Sequence, residues 1–251
     1  MKLRLLTILC CMSFTLMASA QASGEQITRK SRKISHSVTN KSNKKKDIIS
    51  SPSGYHNGIP YVDLGLSVKW GYYNVGASTP ESSGYFFAWG ETESKSTYNW
   101  SNYFDSKKID YRGIDQKYTF HIYNYSDGLK TITPESGRDA ARKTNGGSWR
   151  MPSHKEFEEL KEKCSWTKSN YNGVDGYIVK ANNGKCIFLP IYFSYEMTTW
   201  GEVRKGETYY WSNEMYPNFS SRAYCMFIPD FLSVTLSGRL RCDGQLIRPV
   251  F

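Results

Sequence analysis

Beyond its first twenty residues the chain has no apolar run long enough to cross a bilayer as a helix, which takes about 20 residues. Histidine is scarce, at four copies, and no Cys-x-x-Cys spacing occurs, so a zinc site has no support and no metal or cofactor is expected. There is no Gly-x-Ser-x-Gly elbow to raise a serine nucleophile. No glycine-rich loop opens a helix around a phosphate; Asn145-Gly146-Gly147 closes one instead. A basic surface of the kind nucleic acid needs is also missing. The net charge is +10, but residues 1–57 hold ten basic side chains against Glu25 and Asp47, a balance of +8. Residues 58–251 hold 23 basic and 21 acidic side chains, a balance of only +2, so no nucleic-acid partner is expected.

What is present starts with a leader. Lys2 and Arg4 precede the apolar stretch Leu5 to Met17, and Ala18-Ser19-Ala20 supplies the small-x-small pattern of a secretory signal cleaved after Ala20. Export to the cell surface or the medium is the expectation, with no transmembrane segment left in the mature chain. Ile8 and Leu9 stand where a lipobox before Cys10 or Cys11 would need small residues, so lipidation is not expected. Without the leader, six cysteines become four: Cys164, Cys186, Cys225 and Cys242. An exported chain can pair them, Cys164 with Cys186 and Cys225 with Cys242 being the local choice. They can equally remain buried thiols that pack as small apolar groups. Residues 21–57 are rich in Ser, Lys, Arg and Asn, cannot bury enough apolar surface to offset their ordering entropy, and read as a basic disordered linker.

From Gly58 aromatics become dense, and the remaining length suits one domain over residues 58–251. Thr133-Pro134-Glu135 predicts a helix start, with Asp139 to Arg142 carrying it on to Asn145. Ser153 and Glu156 form a capping box for a second helix, along which Phe157, Leu160 and Cys164 fall on one stripe. Gly176 to Lys180 and Lys185 to Leu189 flank Asn182-Asn183-Gly184 and predict a hairpin. Thr208 to Trp211, Arg222 to Ile228, Leu232 to Leu236 and Leu246 to Phe251 are further short strand candidates. Tyr98 to Tyr125 and Ile191 to Lys205 read as long aromatic loops. Helices early and strands late predict an α+β fold.

Several ordered words carry a resemblance. Tyr61 to Trp70 reads Tyr-Val-Asp-Leu-Gly-Leu-Ser-Val-Lys-Trp, and Asn74-Val75-Gly76-Ala77 follows. Tyr85 to Thr92, Gly147 to Ser153, Ile187 to Pro190, Tyr209 to Ser212 and Ile247 to Val250 complete the set. Over about residues 58–251 the chain resembles the Fibrobacter succinogenes major paralogous domain, which is similar to the C-terminal domain of the Legionella collagen-like protein and common in exported proteins of Bacteroidota. The resemblance implies a C-type-lectin-like fold: a small twisted antiparallel sheet, two helices and long loops on one side. Fold alone does not assign function.

The lectin calcium triplets are not matched. Tyr216-Pro217-Asn218 and Trp211-Ser212-Asn213 stand in reversed order and lack the carboxylates that calcium wants. The formylglycine-generating relatives of that fold use a closely spaced cysteine pair, whereas Cys225 and Cys242 lie far apart in sequence. Trp70, Trp89, Trp149 and Trp211, inside the shared words, are expected in the core. Trp100, Tyr103, Tyr195, Trp200, Tyr216 and Phe219 lie between the words, free either to tuck loops down or to meet a ligand. The leading expectation is a non-catalytic binding or adhesion module for a glycan or protein outside the cell. Its contacts would come from the segment Ser212 to Arg222, with Asn213, Asn218 and Arg222 polar, Tyr216 and Phe219 apolar, and Tyr195 and Trp200 assisting. The alternatives are a metal- or thiol-dependent enzyme related to the formylglycine-generating group, and a structural surface-layer protein.

Overall fold

The structure, a computed structural model, describes residues 49–104, 106–112, 119–124, 128–193, 207–230 and 233–251, with backbone pairing alone for 107–112 and 119–124. The expected signal and most of the expected linker lie outside the described residues. Lys45–Phe251 form one unit. It opens earlier than the expected boundary, with Ile49 buried in contact with Cys186 and Phe188. The reason is local. Asn57 and Gly58 both take positive φ, 47° and 76°, and join strand β1 (Gly54–His56) to β2 (Ile59–Val62). Asn-Gly is the preferred pair for such a two-residue turn, because its twist matches that of the strands. The expected boundary at residues 57 and 58 therefore cut a hairpin in two.

The described chain is mostly β, which corrects the expected α+β, C-type-lectin-like fold. β2 also pairs with β3 (Trp70–Gly71), giving the sheet β1-β2-β3. β4 (Lys107–Arg112) and β5 (Thr119–Asn124) form a hairpin within the expected loop Tyr98 to Tyr125. β6 (Cys164–Tyr171), β7 (Val174–Ala181) and β8 (Cys186–Pro190) form a meander. β9 (Glu207–Met215), β10 (Arg222–Pro229) and β11 (Thr235–Leu240) form the third antiparallel sheet, in the order β11-β10-β9.

Among the described residues only one helix exceeds six residues: α2 (His154–Lys163), started by the reciprocal Ser153–Glu156 capping box. The other expected helix is broken. Pro134–Ser136 makes one 3-10 turn, Gly137 takes the left-handed conformation at φ 71°, and Asp139 caps a new six-residue helix, α1 (Ala140–Asn145). A left-handed residue cannot continue a right-handed helix. Both helices pack as small pieces against sheet rather than as a helical layer.

Trp70, Trp89, Trp149 and Trp211 are all fully buried. Two of them lock one junction reciprocally: Trp89 Nε1 donates to the Ser212 carbonyl at 2.9 Å, and Trp211 Nε1 to that of Phe87 at 2.8 Å. The sheets are tied together by the last residues. Val75 N–H donates to Ile247 O, Gly71 N–H to Pro249 O, Trp211 N–H to Leu246 O and Arg150 N–H to Val250 O, while Lys69 and Phe251 exchange backbone bonds. Arg248, fully buried, donates to the carbonyls of Gly71 and Phe188 at 3.0 and 2.7 Å, stapling β3 to β8. Burial lowers its pKa to about 10.

Candidate functional site

Strand periodicity places Arg222 and Tyr224 of β10 on one face and the buried Ala223 and Cys225 on the other. Directly across from Tyr224 on β11 stands Gly238. Its missing side chain leaves a bare patch of sheet, and the Tyr216 ring lies on it: a Cβ at 238 would sit 2.5 Å from Tyr216 Cδ2. The turn between β9 and β10 is held by backbone bonds from Tyr216 N–H to Arg222 O, Phe219 N–H to Tyr216 O and Arg222 N–H to Phe219 O. Asn218 occupies the turn's positive-φ position at 62°, which suits asparagine.

The rings form a connected series. His154, at the first position of α2, stacks on Tyr224 with centroids 3.9 Å apart. Tyr224 meets Tyr216 edge-on at 4.8 Å, and Tyr216 meets Phe219 at 6.1 Å. Phe219 ends the series and is 56% exposed. Polar groups flank it. Arg222 donates to the Gly238 carbonyl at 2.9 Å, and Glu214 accepts the His154 backbone N–H at 3.1 Å. Glu158 lies 3.3 Å from His154 Nε2. Burial, then the neighbouring Tyr216 hydroxyl and the Glu214 and Glu158 carboxylates, raise the Tyr224 phenol, so it stays a neutral donor at physiological pH.

Four of the seven expected contact residues thus belong to this ridge: Tyr216, Asn218, Phe219 and Arg222. Asn213 does not. It sits in a bulge of β9, where the register passes from Ala223↔Met215 to Cys225↔Trp211. The bulge receives the segment 130–132: Ile132 N–H donates to Asn213 O, Met215 N–H to Lys130 O, and Asn213 Nδ2 to Ile132 O. Its amide nitrogen holds the Ile132 carbonyl, while its Oδ1 is buried with no hydrogen-bond partner among the described residues. Tyr195 and Trp200 lie outside the described residues. The described chain leading toward them, Ile191 to Phe193, borders a cleft of about 470 Å³ together with Asp175 and Asp230. His154 and Tyr224 were not among the expected contacts because they lie outside the segment Ser212 to Arg222, on α2 and β10; Glu214 lies inside it but was not singled out.

Of the loop aromatics, Trp100 and Tyr103 are buried, Tyr103 Oη donating to the Trp89 carbonyl at 2.7 Å. The four cysteines are free thiols. Cys186 Sγ accepts the Ser50 N–H, and Cys225 Sγ packs beside Ser237 O. Burial pushes Cys164 up to about 11 and Cys242 higher still, away from the reactive thiolate. Among the described residues no three His, Cys, Asp or Glu side chains gather as a metal site. No family model, curated protein or solved structure matches the chain.

Proposed function

We propose that this chain is an exported, non-catalytic binding module, in keeping with the major-paralogous-domain resemblance, and that it holds an extended saccharide along the ridge from His154 to Phe219. The leader at residues 1–20 supports export. The observation that carries the ligand reading is the single file of rings, each touching only the next, with hydroxyl, guanidinium and carboxylate groups at its edges. A pyranose has the matching character. Its C–H face is attracted to the negative face of an aromatic ring, and its hydroxyls meet the flanking donors and acceptors. A standard protein interface covers about 800 Å² per partner; a strip one ring wide suits a chain-like ligand better.

The test is a glycan array, with a host-protein array beside it, probed with the purified full chain and with Phe219→Ala and Tyr224→Ala. Saccharide binding that weakens about tenfold or more in each variant, at an unchanged melting temperature for Phe219→Ala, is expected. Binding to host protein alone, or glycan binding indifferent to both substitutions, would overturn the reading.

A further inference from the structure

A second concave surface, sharing no residue with the ridge, lies between Gly90–Lys95, the ring of Phe104 and Ser136–Arg138. Its volume is about 490 Å³, within the usual range for small-ligand sites. Its geometry follows from the broken helix. Left-handed Gly137 ends the 3-10 turn, and Arg138 then lies over the Phe104 ring, with its guanidinium carbon 4.0 Å from the ring centre.

The charges around the cleft are not equally available. Glu91 is consumed: Oε1 accepts the Phe104 N–H at 2.9 Å, and Oε2 pairs with Lys95 Nζ at 2.6 Å. Lys95 is consumed too, donating to the Asn102 carbonyl and side-chain oxygen. Ser136 Oγ donates to Thr133 O and accepts the Arg138 N–H. The Arg138 guanidinium, by contrast, has no carboxylate or carbonyl partner among the described residues; it lies over the Phe104 ring. A guanidinium with one face fixed on an aromatic ring keeps its in-plane N–H fork free and has already lost much of its rotamer freedom. That fork matches a carboxylate in bidentate geometry. Thr92 supplies a nearby hydroxyl, and Glu93 stands exposed on the wall.

We infer that this cleft is a binding site for a small carboxylic acid, clamped by Arg138. A sugar acid and a simple organic acid present the same group, so the test uses both. Isotope-labelled full chain is titrated by NMR with D-glucuronate, with succinate, and with neutral D-glucuronamide. Either acid should shift the amides of Gly90, Thr92 and Gly137 and the Arg138 Nε–H; the stronger of the two names the source. Glucuronamide should shift none of them. Arg138→Gln should weaken the response about tenfold or more. Glu93→Gln, by removing a like charge from the wall, should strengthen it about two- to threefold. Glu93 is exposed, so that variant keeps the test alive if Arg138→Gln fails to fold. Equal shifts from glucuronamide, indifference to both substitutions, or no response to either acid up to about 10 mM would overturn the site.

Discussion

At the scale of single residues, the ridge depends on an atom that is absent. Tyr216 occupies the face of β11 because Gly238 has no Cβ, and Tyr224 in turn leans on Tyr216. Gly238→Ala is therefore expected to displace the Tyr216 ring and weaken ligand binding at least as much as Phe219→Ala does. Tyr216 is only half-buried and can swing toward solvent, so the stability loss should stay near 1 kcal/mol. Comparing melting temperature with binding affinity in this variant separates the two effects; a large drop in melting temperature with binding retained would show that Tyr216 serves packing instead. Asn213 is the contrasting case. Beside Tyr216 in sequence it looks equally suited to a ligand, yet its amide holds Ile132. Nothing in its immediate neighbours announces the incoming segment 130–132.

At the scale of elements, what could be read in the sequence was what local chemistry decides alone. The α2 capping box, the β7–β8 hairpin and most of β10 follow from patterns within ten residues. The helix expected from Thr133 to Asn145 failed because Gly137 is left-handed there, and Asp139 serves as a fresh cap. β6 was missed because its exposed polar positions alternate with only partly covered ones, leaving a weak apolar signal. In the same way Tyr216, Phe219 and Arg222 were legible as one loop, whereas His154 comes from the start of α2, distant in sequence, and was not. α2 also carries an acid-sensitive element. Burial pushes the Glu156 carboxyl up, but its bonds to Arg150 and to the Ser153 N–H outweigh that and leave it below the ordinary value. Stability from such a group is full above the unfolded pKa of about 4.3 and is lost as pH falls through the lowered folded value. Glu156→Gln should cost about 1–3 kcal/mol at pH 7, and its deficit against the parent should shrink as pH falls below about 4.3. Asp139 works the other way: burial raises its carboxyl, so its ionised form is a burden that acid relieves. A Glu156→Gln deficit that stays constant with pH in thermal melts would remove the ion pair from this account.

At the scale of the whole unit, three small sheets cannot each bury a core, and sheets of this size need packing partners to be stable. The partner they share is the final stretch of chain. Every residue from Arg241 to Val250 is buried, including Arg241, Asp243, Gln245 and Arg248, a run of polar side chains that surface sequence would not place inside. Gln245 bonds through its backbone to Phe87, Leu246 to Tyr209 and Trp211, Ile247 to Val75, Pro249 to Gly71, and Val250 to Arg150. Those partners lie in β3, β9 and the connecting segments, so the stretch is a keystone between units otherwise far apart in sequence. Closing it last would carry the entropy of the longest loops in the molecule. Cooperativity should therefore fail all at once when it is removed. Deletion of residues 247–251 is expected to abolish the near-ultraviolet dichroism of Trp70, Trp149 and Trp211 together and to replace a single calorimetric transition with none. Survival of a transition in the truncated chain, with the Trp211 signal intact, would mean that the β9–β11 sheet folds on its own and that the ridge does not need the rest of the unit to stand.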